Sequence, residues 1–198
     1  MIPRNLMITV AVMAAVTIGM GLYLVHMRHR AAQVETGAAS ARPVTPPVSG
    51  PTEQVTLWVA DDSSGMLRAQ SAKLRLSSGR QERAQDLLRA LIGIYLDKDS
   101  PHRLAAGSDV RDVFLVDPGL AVVDLNAAFA DGHRSGVLVE ELTIASLIQT
   151  LSANLPGITQ VKILVDGKSR DTLAGHADIS QVYQLADAQQ MLAALQGR

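Results

Sequence analysis

An uncharged, almost wholly apolar run from Leu6 to Val25 dominates this chain. About 20 helical residues suffice to cross a hydrocarbon core of roughly 30 Å. Arg4 precedes the run, and Arg28, His29 and Arg30 follow it. A cleaved signal peptide is the rival, but its apolar region is shorter and ends at a small-x-small site. Here the run ends Tyr23-Leu24-Val25-His26-Met27-Arg28, without such a site. The sequence therefore predicts an uncleaved N-terminal membrane anchor over residues 1–30. Arg4 and the terminal amine balance Arg28 and Arg30, so the positive-inside rule gives no orientation. Ala11, Ala15 and Gly19 form a small-xxx-small stripe on which two anchors can pack.

Residues 31–54 change character. Pro43, Pro46, Pro47 and Pro51 lie among Ala, Ser, Thr and Gly with no apolar period. Such a segment buries too little surface to offset the entropy of ordering it. It reads as a linker with a span of roughly 25–30 Å.

The periodicity then changes again. Val55–Ala60 alternates and is β-branched, which predicts a strand, and a second strand is expected within Leu67–Leu76. Ser78-Gly-Arg-Gln81 fits a capping box opening a helix. That helix carries Ala84, Leu87, Leu88, Leu91, Ile94 and Tyr95 on one face. Val110–Val116 and Leu120–Leu125 are apolar strands joined by Asp117-Pro118-Gly119, a hairpin with good turn chemistry. A long helix is predicted from about Ser135 to Leu155, with a buried stripe of Ile144, Leu147, Ile148, Leu151 and Leu155, ending before Pro156-Gly157. Val161–Val165 is a strand closed by Asp166-Gly167, Thr172–Ser180 a loop, and Leu185–Leu195 a terminal amphipathic helix. The order strand, strand, helix, strand, strand, helix, strand predicts an α+β domain: a mixed sheet with two main helices on one face. The domain is bounded at residues 55–184, with residues 185–198 as the C-terminal helix.

Composition excludes several functions. Of 18 basic residues, Arg4, Arg28, Arg30 and Arg42 precede position 55; of 19 acidic ones, only Glu35 and Glu53 do, so the folded part carries a formal charge of about −3. No basic face is left to replace counterions on phosphates, so nucleic acid is not an expected partner. Without cysteine there is no disulfide framework, thiolate metal site, cysteine nucleophile or lipoprotein-type attachment. The chain carries no G-x-S-x-G, H-E-x-x-H or phosphate-loop motif. Its histidines, His26, His29, His102, His133 and His176, show no metal-ligand spacing. The acidic pairs Asp61/Asp62, Asp97/Asp99 and Glu140/Glu141 read as solvated, with Glu140/Glu141 favouring the positive start of their helix. No catalytic residue, cofactor or metal is expected.

Four blocks in order carry a resemblance: Leu120-Ala-Val-Val-Asp-Leu-Asn-Ala-Ala-Phe129, Leu147-Ile-Gln-Thr-Leu-Ser-Ala-Asn-Leu-Pro-Gly157, Val161-Lys-Ile-Leu-Val-Asp-Gly-Lys168 and Leu173-Ala-Gly-His176. Together they resemble the sporulation and spore-germination (GerMN) domain family over roughly residues 54–184. The resemblance implies a core similar to ring-building modules of envelope complexes. It also implies a place outside the cytoplasm and no established catalytic chemistry, and it supplies the orientation that charge does not. The expected protein is thus single-pass in the inner membrane, with its C-terminal domain extracytoplasmic. Its expected partners are envelope proteins or further copies of itself. A cell-wall or small-ligand binding module is the alternative. The matching positions Asp124, Asp166, Gly167, Gly175 and His176 are expected to be structural. Asp124 would cap the loop following its strand. Gly167 would take positive φ. His176 would bond to backbone in a tight loop.

Overall fold

The computed structural model describes residues 52–188 and Gln190. The predicted membrane span, the linker as far as residue 51 and most of the C-terminal helix lie outside the described residues. Among the described residues no helix is long and apolar enough to cross a membrane.

The described chain runs β1 (Thr52–Asp61), β2 (Met66–Arg75), α1 (Arg80–Tyr95), β3 (Val110–Val116), β4 (Leu120–Leu125), α2 (Ala127–Asp131), α3 (Val137–Asn154), β5 (Gln160–Val165) and β6 (Val182–Gln184). It is a mixed α+β fold, as expected. Its strands form two sheets rather than one. β1 and β2 make a two-stranded ribbon, and a four-stranded sheet has the order β3-β4-β5-β6. That second sheet is mixed: β4 pairs antiparallel with β3 and parallel with β5, and β6 closes the far edge antiparallel. The linker is also shorter than predicted, because Thr52, Glu53 and Gln54 already pair with Arg75, Leu74 and Lys73.

Local chemistry explains most of the elements. β5 alternates buried and half-buried residues, as a strand packed on one face should. At the β3–β4 turn, Gly119 has φ +111, and a Cβ there would lie 2.3 Å from the Gly157 carbonyl oxygen. The Gly119 carbonyl in turn accepts from the Thr159 and Gln160 N–H groups. Only glycine allows this approach of the hairpin to the start of β5. The capping box at Ser78 does not form. α1 is N-capped by Gly79, with no side-chain cap bond. The Asp86 carboxylate instead reaches back to the Ser77 N–H at 2.9 Å. On α1 it is Ile92 that is buried, with Ile94 only partly so.

The largest departure is α3. A one-sided apolar stripe was expected, yet Leu142 to Leu151 are buried without interruption. A helix sheltered all round sits inside a domain rather than on it. Its polar residues Thr143, Ser146 and Thr150 are buried because each has a partner. Thr150 Oγ1 accepts the Trp58 N–H at 3.0 Å, and Asn154 Oδ1 accepts the Thr56 N–H at 3.0 Å. Tyr95 of α1 continues the row, its hydroxyl accepting the Ala60 N–H at 2.8 Å. The outer edge of β1 is thus completed by side chains rather than by a strand, which satisfies backbone groups that burial would otherwise penalise.

Candidate functional site

The five family positions fall into two groups. Asp124, Asp166 and Gly167 meet at one end of the larger sheet. Asp166 (φ +50) and Gly167 (φ +72) form the two-residue turn after β5, where aspartate tolerates and glycine favours the left-handed region. Asp124 Oδ1 accepts the Gly167 N–H at 2.7 Å. It therefore caps the loop after the neighbouring strand, not the loop following its own. Arg111 of β3 joins the group, 2.9 Å from Asp166 Oδ1 and 3.7 Å from Asp124 Oδ2.

Gly175 and His176 belong to the second group, and its centre is Glu140. This residue was read as one of a solvated pair, but it is fully buried. Its carboxylate accepts the backbone N–H groups of Gly136, Ala174, His176 and Ala177 at 2.9–3.0 Å. The His176 Nδ1 donates to Oε1 at 3.0 Å. Burial pushes the carboxyl up, but the Gly136, Ala177 and Ala174 donors and His176 outweigh it and hold it down at about 2. The His176 ring was expected to bond to backbone; it bonds to this carboxylate instead. Ser135 Oγ lies 3.2 Å from the same Nδ1. One nitrogen thus faces both the serine and the acid. A nucleophilic triad needs the two ring nitrogens to divide those roles, so Ser135 is not activated here.

A third cluster joins groups remote in sequence. Asp62 Oδ1 contacts His102 Nδ1 at 2.6 Å, and His102 Nε2 lies 2.7 Å from Thr143 Oγ1. On the other side of that hydroxyl stands His133 Nε2, also at 2.7 Å, while His133 Nδ1 faces the Arg134 carbonyl at 2.7 Å. Arg134 closes on Asp62 at 2.7 Å. Burial lowers the proton affinity of both imidazoles, against the pull of Asp62 on His102 and of the Arg134 carbonyl on His133. With both rings neutral, His102, Thr143 and His133 bring three protons to four contacts. Thr143 also lies 2.9 Å from the Val139 carbonyl. The order acid, imidazole, hydroxyl is that of a nucleophilic triad. Yet His102 and Thr143 are 0% exposed, and a second imidazole stands where a substrate would approach.

Tyr95 packs edge-on to His102, with ring centroids 4.7 Å apart. Burial pushes its hydroxyl up to about 12. An open depression of about 540 Å³ lies beside this region, lined by Ala90, Gly93, Ile94, Asp97, Asp99, Ser100 and Pro101. No group of His, Asp or Glu among the described residues is arranged to hold a metal ion. The sequence signal for Glu140 was its place in the first turn of α3, where carboxylates accept N–H donors. Nothing local marked His102, His133 and Thr143 as neighbours.

The fold and these clusters define a small α+β module whose converging ionisable groups are bonded to its own chain. The chain belongs to the Germane family, described as sporulation and spore germination, which it matches over residues 56–171. The four sequence blocks become the β4–α2 unit, the end of α3, the β5 turn and the loop held by Glu140. Among solved structures, the first GerMN domain of the sporulation protein GerM from Bacillus subtilis is 22% identical. The match has a TM-score of 0.55 and covers 69% of this chain and 100% of that one. The tandem GerMN domains of the same protein match with equal identity and TM-score, but over 47% of their length. The chain thus spans about half of the tandem structure, and the likeness is one of fold. No curated protein matches the sequence.

Proposed function

We propose that this chain is a non-catalytic, membrane-anchored envelope protein whose extracytoplasmic domain mediates protein assembly. The observation that carries the reading is the inward use of its chemistry. Glu140 is saturated by backbone donors, and His102, Thr143 and His133 are closed on one another. The described surface also exposes large apolar side chains, among them Met66, Phe114, Val116, Val137, Leu138 and Val182. Membership of a sporulation and germination family supports the envelope setting, and the Leu6–Val25 run supports the anchor.

Chemical crosslinking of the full-length protein in its native membrane, followed by mass spectrometry, tests assembly. Self-adducts or one dominant envelope partner are expected; a monomer caught with nothing would end the proposal. An alkaline phosphatase fused after Arg198 should be active, and a stable but inactive fusion would refute the orientation. The open depression beside Asp97, Asp99 and Ser100 favours a second reading, a module binding wall material or a small ligand. Failure of the full-length protein to sediment with purified cell wall would count against the wall-binding form. The 3% aromatic content already leaves few sugar-stacking surfaces.

A further inference from the structure

The β1–β2 ribbon has two outer edges, and they are treated differently. On β1 the N–H groups of Thr56, Trp58 and Ala60 face away from β2, into Asn154, Thr150 and Tyr95. Directly opposed residues of an antiparallel pair either both point their backbone groups at each other or both point them away. The register sets Thr56 against Ser71, Trp58 against Ala69 and Ala60 against Leu67. The N–H and C=O groups of Leu67, Ala69 and Ser71 therefore point outward on the far edge, and alternation adds Lys73 and Arg75. Among the described residues no strand pairs with that edge. The larger sheet is better covered, since Gln85 and Arg89 of α1 donate to the Arg111 and Val110 carbonyls of β3. β2 runs ten residues in unbroken register, without proline or bulge. Such an edge is a template for another strand.

Charge selects the occupant. β2 carries Arg68, Lys73 and Arg75 and no acid. Arg68 is paired with Asp61 at 2.7 Å, while Lys73 and Arg75 stand exposed. A second copy of β2 added antiparallel would bring no carboxylate to Lys73 or Arg75, because the strand holds none. At the other end, Met66 and Leu138 are 39% and 36% exposed, and Leu138 lies over Gly65 in the ribbon turn.

We propose that the outer edge of β2 receives an extended acidic segment of a partner protein as an added strand. Carboxylates of that segment sit over Lys73 and Arg75. An apolar side chain reaches Met66 and Leu138, roughly 23 Å away along the strand. Main-chain bonds supply affinity and the two unlike ends supply direction. This inference rests on the assembly reading and names the surface and the chemistry of its partner.

Two fluorescent decapeptides of alternating Val and Thr test it on the full-length protein in detergent. One carries Leu at one end and two Glu at the other; the second has Lys in place of Glu. The Glu probe should bind at least about ten-fold more tightly. The double substitution K73E/R75E should reverse that order. Ala69→Pro removes an outward N–H and should abolish binding of both probes at unchanged melting temperature. Should that variant misfold, the charge swap decides alone. Equal binding of the two probes, or a preference that survives the swap, would overturn the proposal. In native membranes, a photocrosslinker at Ser71 should mark an acidic stretch of a partner, and marking only a second copy would overturn it. Crosslinks from Phe114 but none from Ser71 would sink the β2 proposal and leave assembly standing. Crosslinks from neither would sink both.

Discussion

Replacing Glu140 by glutamine keeps the shape of the side chain and removes its charge. The carboxyl is fully buried and held at about 2, against an ordinary 4.5. At about 1.4 kcal/mol per pH unit, that difference is worth roughly 3 kcal/mol. The sign follows from the depressed value. The stabilisation is complete above pH 4.5 and is lost as pH falls from there towards 2. At neutral pH, Glu140→Gln should therefore cost about 3 kcal/mol. The amide NH2 of glutamine would also face backbone donors with nothing to accept. Urea unfolding of the full-length protein in detergent, followed by the fluorescence of Trp58, the sole tryptophan, reads this directly. The midpoint should fall by about 1–2 M. The variant should also lose one proton's worth of pH dependence between 4.5 and 2. Glu141→Gln, one residue away and only half-buried, serves as the control and should stay within about 0.5 kcal/mol of the parent. A Glu140→Gln protein with unchanged midpoint and unchanged acid limb would show that the clamp on residues 174–177 contributes nothing.

Three further outcomes are expected. His102 and His133 are held below the ordinary imidazole value of 6.5, so stability should fall as pH drops below it, and His133→Gln should flatten that slope in a pH series of urea midpoints. Gly119→Ala puts a Cβ 2.3 Å from the Gly157 oxygen at φ +111, and calorimetry should record a loss of about 2–3 kcal/mol. Among the described residues Trp58 Nε1 is buried without a partner, so Trp58→Phe, followed by circular dichroism, should be neutral or stabilising by about 1 kcal/mol, and a loss above about 2 kcal/mol would contradict it.

The parts of the fold that were legible in the sequence are those encoded locally. The β3–β4 hairpin announces itself through Asp117-Pro118-Gly119, and the α3 stop through Pro156-Gly157. The Asp166-Gly167 turn is equally plain. What was not legible depends on residues far apart along the chain. Thr143, Ser146 and Thr150 look like the solvated side of an amphipathic helix. Their burial follows from β1, which presents its backbone edge to Thr150 from 92 positions away. Glu140 reads as a surface acid until residues 174–177 fold over it. His102 and His133 meet only because Thr143, 41 and 10 positions away, stands between them. The split into two sheets was hidden for the same reason: strand patterns show that a face is buried, not which strand lies alongside.

The way β1 is held has a mechanical consequence. The predicted anchor precedes β1 in sequence, so any tension between membrane and domain enters at Thr52. Along the strand axis, that load meets ten residue pairs to β2 and the side-chain bonds from Asn154, Thr150 and Tyr95 together, in shear. A pull across the strand would instead open the Thr52–Arg75 pair first and the others in turn. Under such a load β1 would resist a lengthwise pull and give way when peeled.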